Sequence, residues 1–190
     1  MNQNLYEYLS LCFPLTPNEL KEVGSLFRLE SYSKGDFFLK QGQYCKALNF
    51  VQRGYMRFYA LKEGKEVTQW ISPSGYFVTD LNSLLFGEPS RWNIQALEDT
   101  EMYSISKSDY ESLGEKIPNW SKAEKSFIGR CFVTLENRVH DLISLSAEER
   151  YHKLIGQNHN LLNEVPLQYV ASMLGMSPET LSRIRAKMLS

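Results

Sequence analysis

The stretch Pro166-Leu167-Gln168-Tyr169-Val170-Ala171-Ser172-Met173-Leu174-Gly175-Met176-Ser177-Pro178-Glu179-Thr180-Leu181-Ser182-Arg183-Ile184-Arg185 holds two short helices and a tight turn. Val170, Ala171 and Leu174 give the first helix an apolar face. Ala171 is small enough for two helices to cross closely, and Gly175 permits the positive φ of a tight turn. Met176 can plug the turn, Ser177 caps the second helix, and Pro178 takes its first position, where no N–H is needed. Leu181 and Ile184 then face inward, which leaves Pro178, Glu179, Thr180, Ser182 and Arg183 on or near the outer face at the helix start. That order reads as a helix-turn-helix. In such a motif the second helix offers its first turns to the DNA major groove, where Arg bonds guanine O6 and N7 and Glu accepts from cytosine N4. The competing reading is an ordinary helical hairpin with solvated charges.

Upstream, Ser146-Ala147-Glu148-Glu149 has capping-box spacing and predicts a fresh helix to about Gln157, followed by an Asn-rich connection to Asn163. The preceding helix therefore ends near Leu145. Pro118 can start it, and from Asn119 to Leu145 Gly129 is the sole Gly or Pro, so a long helix is expected. Ile128, Leu135 and Leu142 fall seven apart, Cys131 and Leu145 occupy interleaved positions, and Arg138 interrupts that second row. Ile128, Cys131, Leu135 and Leu142 are thus the candidate seam of a dimer helix; packing of the stripe on the chain's own β-domain is the alternative. Ser108 to Glu115 reads as a shorter helix.

Between Glu30 and Ser106 the pattern is of short β-type runs punctuated by turns: Lys34-Gly35-Asp36, Gln41-Gly42-Gln43, Arg53-Gly54, Lys62-Glu63-Gly64-Lys65 and Ser72-Pro73-Ser74-Gly75. The runs are Phe37 to Leu39, Ala47 to Gln52, Tyr55 to Ala60, Val67 to Ile71, Trp92 to Leu97 and Glu101 to Ile105. Their regular spacing predicts a β-sandwich or roll. Gln3 to Leu29 reads as a helical cover, broken at Pro14 to Pro17, with Thr16 as an N-cap. The expected fold class is α+β: an N-terminal double-stranded β-roll of jelly-roll type with a helical cover over residues 1–117, a long dimerisation helix over 118–145 and a small helix-turn-helix domain over 146–190.

Composition narrows the function. With 43% hydrophobic residues and no long polar or Pro-rich tract, both parts should fold. A net charge of −1 gives no overall attraction to nucleic acid, so DNA binding rests on local charge: Arg183, Arg185 and Lys187 against Glu179 at the C-terminal end. Met1 to Ser10 lack the basic and apolar regions of a signal peptide, and no run of about 18 apolar residues occurs, so a soluble, cytoplasmic protein without membrane contact is expected. Cys12, Cys45 and Cys131 are odd in number and far apart in sequence, which argues against a disulfide framework and against a metal or cluster site. His140, His152 and His159 all follow the roll, which argues against a cupin-like metal enzyme. No local nucleophile arrangement or Gly-rich phosphate loop is present. The chain is therefore expected to be no enzyme and to carry no metal and no cofactor.

From Lys34-Gly35-Asp36 through Gly54, Gly64-Lys65-Glu66, Gly75-Tyr76-Phe77 and Ile105-Ser106 to Ser177-Pro178-Glu179-Thr180-Leu181-Ser182-Arg183, the chain resembles the Crp/Fnr family of bacterial regulators. The resemblance implies a cyclic-nucleotide-binding-like sensor, a dimerisation helix and a DNA-binding helix-turn-helix. It implies Glu179 and Arg183 as principal base readers, with Thr180 and Ser182 on phosphates or bases; Ser177, Pro178 and Lys187 complete the candidate DNA-binding set. Longer members follow the recognition helix with a β-hairpin wing that is not evident before Ser190, so affinity is expected to lean on dimerisation.

The departures from the family concern the ligand. Nucleotide-binding members carry Gly-Glu-Leu and, about ten residues later, Arg-Ser or Arg-Thr. Here the corresponding stretch is Thr79-Asp80-Leu81 followed by Ser90-Arg91, and a one-residue displacement of Arg in a strand turns its side chain to the other face. Ungapped matching also puts Leu135 and Glu136 where cAMP-binding members supply Thr and Ser. The expectation is no physiological binding of cAMP or cGMP, and an effector pocket near Tyr76, Phe77, Thr79, Asp80, Ser90, Arg91, Leu135 and Glu136 that takes another small ligand or none. Candidate partners are double-stranded DNA, a second copy of the chain, RNA polymerase and an unassigned small-molecule effector. The functional alternative is an effector-binding dimer whose helix-turn-helix is a protein contact.

Overall fold

Alternating and β-branched segments become strands where a second strand lies within hydrogen-bonding reach. The computed structural model describes residues 3–158 and 160–189. It contains β1 (Arg28–Tyr32), β2 (Phe37–Leu39), β3 (Ala47–Arg53), β4 (Met56–Lys62), β5 (Lys65–Ser72), β6 (Phe77–Val78), β7 (Asn93–Ala96) and β8 (Thr100–Ser106). They form two four-stranded sheets in the orders β1-β8-β3-β6 and β2-β7-β4-β5. This is the β-roll expected from the turn spacing.

β3 is central to its sheet and buried on both faces from Ala47 to Val51. Its register with β8 sets Leu48 against Ile105 and Phe50 against Tyr103 on the face that meets the helical cover. Asn49 against Ser104 and Val51 against Met102 turn the other way, since side chains alternate along a strand. An irregularity between Val51 and Arg53 leads into Gly54, whose φ is +97°. A Cβ on Gly54 would collide with Thr100 Oγ1 and stand 2.9 Å from the Thr100 Cα, so only glycine fits.

The cover begins with α1 (Gln3–Cys12) and α2 (Pro17–Ser25). Thr16 and Glu19 close a capping box at the start of α2. α3 (Leu81–Phe86) lies between β6 and β7, and α4 (Lys107–Lys116) follows β8. α5 (Trp120–Ser144) is the long helix. Phe13 stacks on Trp120 and Phe127 with ring centroids 5.3 and 5.0 Å apart, inside a cluster that includes Leu5, Leu9, Leu113 and Ala123. Ser146 and Glu149 form the expected capping box of α6 (Ala147–Gln157). α7 (Leu161–Glu164), α8 (Leu167–Met173) and α9 (Pro178–Leu189) complete the chain.

Four elements depart from the sequence reading: β1, the two-residue β6, α3 and α7. The helical cover was expected to reach Leu29, but α2 ends at Ser25 and β1 starts at Arg28, with all five residues of β1 paired to β8. Backbone pairing defines this strand; Leu29 itself is exposed. The short α3 and α7 are too brief to show a helical period.

The chain divides into two compact units, Met1–Arg57 with Ser72–Phe132, and Phe58–Ile71 with Val133–Ser190. The division differs from the boundaries drawn on sequence: it falls within α5 and groups most of the β4–β5 hairpin with the C-terminal helices. Among the described residues no helix is long and apolar enough to cross a membrane, and no group of three or more His, Cys, Asp or Glu side chains could hold a metal ion. His159 lies outside the described residues.

Replacing Gly54 with Ala combines a left-handed backbone cost with a clash on Thr100, so Gly54→Ala is expected to lose about 2 kcal/mol or more of stability in urea unfolding.

Candidate nucleic-acid interface and effector site

The turn between α8 and α9 is closed by the backbone. Gly175, with φ at +66°, donates its N–H to Ser172 O at 3.0 Å, and Met176 N–H donates to Ala171 O at 3.0 Å. That pair of bonds is a Schellman ending. Ser177 Oγ then accepts from Thr180 N–H at 3.2 Å at the start of α9. Val170, Ala171, Leu174, Leu181 and Ile184 are buried, which fixes the opposite face of α9 outward. Ser177, Pro178, Glu179, Ser182 and Arg183 are exposed there, and Thr180 is half-buried. A hydrogen bond from the Ser177 side chain and one from its own backbone N–H hold the Glu179 carboxyl below the usual carboxylate range, so it is an ionised acceptor at neutral pH. Lys187 is exposed, with Nζ 3.0 and 3.2 Å from the two carboxylate oxygens of Glu148.

The carbonyls at the end of α8 need donors, because no further helical turn supplies them. Two arginines do so. Arg150 on α6 donates from Nε to Leu174 O at 2.8 Å, from one terminal nitrogen to Leu145 O at 2.6 Å and from the other to Gly175 O at 3.4 Å. Arg138 on α5 donates to Met173 O while its guanidinium lies 5.5 Å from the centroid of the Trp70 ring on β5. From the same hairpin, Thr68 N–H donates to Ser172 Oγ at 2.9 Å. Sequence reasoning treated Arg138 as an interruption in a heptad row and missed Arg150, Thr68 and Trp70, since contacts across the fold leave no local pattern.

The residues singled out for an effector have unequal surroundings. Asp80 caps α3: one carboxylate oxygen accepts from Asn82 N–H at 3.0 Å and Ser83 N–H at 3.2 Å, and the other accepts from Ser90 Oγ at 2.6 Å. Thr79 Oγ1 donates to Ala47 O at 2.9 Å and lies 3.2 Å from Cys45 Sγ. Cys45 N–H in turn donates to Ser83 Oγ at 2.7 Å. Thr79, Asp80 and Ser90 are therefore drawn into one hydrogen-bonded region. Phe77 belongs to the aromatic cluster, in edge contact with Phe13, Phe50 and Phe127. Tyr76 and Arg91 are exposed. Leu135 and Glu136 are exposed in the second unit.

On α5 the seam residues also separate. Ile128 and Cys131 pack partly against the core of the first unit, whereas Leu135 and Leu142 are exposed. Phe132 and Val139, which the sequence reading passed over, are 65% and 55% exposed. Phe132, Leu135, Val139 and Leu142 follow one another at steps of three and four, a heptad stripe displaced by one residue in its second row.

Arg150→Met keeps the bulk of the stem and removes every donor to the three carbonyls. The expected cost is about 2 to 3 kcal/mol, read as a lower urea midpoint with an unchanged slope.

Residues 29–116 match the family described as the cyclic nucleotide-binding domain. The cyclic AMP receptor protein of Thermus thermophilus is 28% identical over 178 residues, which span 90% of this chain and 81% of the relative. FixK2 from Bradyrhizobium japonicum superposes with a TM-score of 0.73 at 17% identity, over 85% of this chain and 84% of its own. The regulator CLP of Xanthomonas campestris, described as c-di-GMP responsive, gives 0.66 at 16% identity over 92% of both chains. The chain therefore carries a cyclic nucleotide-binding-type domain, is a homologue of the Thermus cyclic AMP receptor protein and shares the fold of FixK2 and CLP.

Proposed function

We propose that this chain is a sequence-specific, DNA-binding regulator of transcription that acts as a dimer and does not use cyclic AMP as its physiological ligand. The observation that carries the reading is the start of α9, where Glu179, Ser182 and Arg183 stand exposed on a helix whose other face is buried. Among the described residues Arg183 has no ion-pair partner within the chain, so its planar donors are available to a guanine edge. Lys187 shares its charge with Glu148 and would have to exchange that partner for a phosphate.

The apolar stripe Phe132, Leu135, Val139 and Leu142 supports pairing of two copies through α5, since a monomer gains nothing by exposing such a row. Two α9 helices would then enter successive major grooves about 34 Å apart on a palindromic site.

The Asp80 network supports the reading on ligand. A phosphate settles where N–H groups and a cation converge. Here the N–H groups at the start of α3 are taken by Asp80, whose own negative charge stands in the place an anion would need. Arg91 points its charge to solvent rather than completing that region. The two relatives described by their ligands, cyclic AMP for one and c-di-GMP for the other, share a fold, so the fold favours no particular molecule. An effector would act by shifting the population of DNA-competent arrangements.

Selection of bound duplexes from a random library, with purified protein at fixed salt and no added ligand, is expected to recover a palindrome with half-sites one helical turn apart. On the selected site Arg183→Ala should weaken binding by about 1 to 3 kcal/mol. Unchanged affinity would make the helix-turn-helix a protein contact. Titration calorimetry with cyclic AMP is expected to show no saturable heat, and micromolar affinity would overturn the ligand reading.

A further inference from the structure

Cys12 and Cys131 lie far apart in sequence, but the fold brings their surroundings together. Cys12 is the last residue of α1. Its neighbour Phe13 stacks on Phe127 with ring centroids 5.0 Å apart and on Trp120 at 5.3 Å, which seats the end of α1 on the first half of α5. Cys131 follows Phe127 by one helical turn and so lies on the same face of α5. Both cysteines are half-buried, and both pack against the cluster that contains Phe13 and Phe127. Cys45 is set apart from them, fully buried against Thr79 and Ala47.

The electrostatics agree with this juxtaposition. Burial pushes the Cys131 thiol up to about 11, and the neighbouring Cys12 adds to the rise. Burial also raises Cys12, against which the Arg130 guanidinium acts in the opposite sense. Both groups are therefore thiols at neutral pH, and Cys12 is the one whose thiolate has a cation to favour it.

We propose that Cys12 and Cys131 form a reversible disulfide that ties α1 to α5, made by exchange with a low-molecular-weight disulfide. The Cys12 thiolate attacks one sulfur of the small disulfide and expels a thiolate, leaving a mixed disulfide on Cys12. The Cys131 thiolate then attacks Cys12 Sγ and expels the second small thiolate. The two cysteine protons go to the two released thiolates, so one disulfide is reduced to two thiols as the protein pair is oxidised by two electrons. A disulfide requires Cβ atoms about 3.5–4.5 Å apart, which makes its formation a direct test of the juxtaposition.

The full chain is incubated with oxidised glutathione under mildly alkaline conditions, and the products are resolved by intact mass and by peptide mapping without reduction. The expected product is a monomeric link between the Cys12 and Cys131 peptides, formed while circular dichroism stays native and reversed by dithiothreitol. Cys45→Ser should link equally well, and Cys131→Ser should stop at glutathione on Cys12. The mapping of the unsubstituted chain decides the matter even where a variant fails to fold. A link through Cys45, a link between two copies, no link, or a link formed only after the native dichroism is lost would each overturn the proposal.

Discussion

A helix that ends inside a protein leaves carbonyl oxygens that must find donors, and at α8 this requirement organises the C-terminal unit. Met173, Leu174 and Gly175 present their oxygens where the chain turns toward α9. Arg138 and Arg150 reach them from α5 and α6, and Arg150 also takes the oxygen of Leu145 at the end of α5. Two positive charges at a helix C-terminus are favoured by its dipole as well as by the bonds themselves. Because a guanidinium is planar and its donors are fixed, these contacts set direction and not just proximity. The orientation of α8, and through the Gly175 turn that of α9, thus depends on side chains outside the helix-turn-helix. Trp70 and Thr68 extend the same set of contacts to the β4–β5 hairpin.

The first unit shows the same economy at Asp80. A carboxylate that caps α3 and holds Ser90 serves the fold. A short polar residue at that position stabilises the helix start, and Asp80 does so through the N–H groups of Asn82 and Ser83. Thr79, Cys45 and Ser83 extend the network with bonds that close within the chain.

Legibility in the sequence followed the range of the interaction. The Ser146–Glu149 capping box, the Gly175 turn and the Ser177 cap are local arrangements of three or four residues, and all are present as read. The β-roll was visible because its turns recur at short spacing, although β1 and β6 carried too little pattern to be found. On α5 the two rows read from spacing, Ile128, Leu135 and Leu142 with Cys131 and Leu145 interleaved, divide by burial: Ile128 and Cys131 pack against the core, and Leu135 and Leu142 are exposed. Spacing alone selects Cys131, whereas burial distinguishes it from Phe132 beside it, which is the more exposed of the two. Arg138 and Arg150 could not be identified as clasps for α8, because which carbonyl a long side chain reaches depends on contacts between remote parts of the chain. Asp80 was singled out by a resemblance to ligand-binding sequences; its capping role depends on the helix that follows, which was too short to read.

The most direct test of the account is a hydroxyl-radical and base-methylation footprint of the chain on a selected duplex. Two protected patches of equal strength, each centred on a major groove and about 34 Å apart along one face of the DNA, are the result that a pair of α9 helices presented through α5 predicts. A single patch, or uniform backbone protection without major-groove contacts, would contradict it.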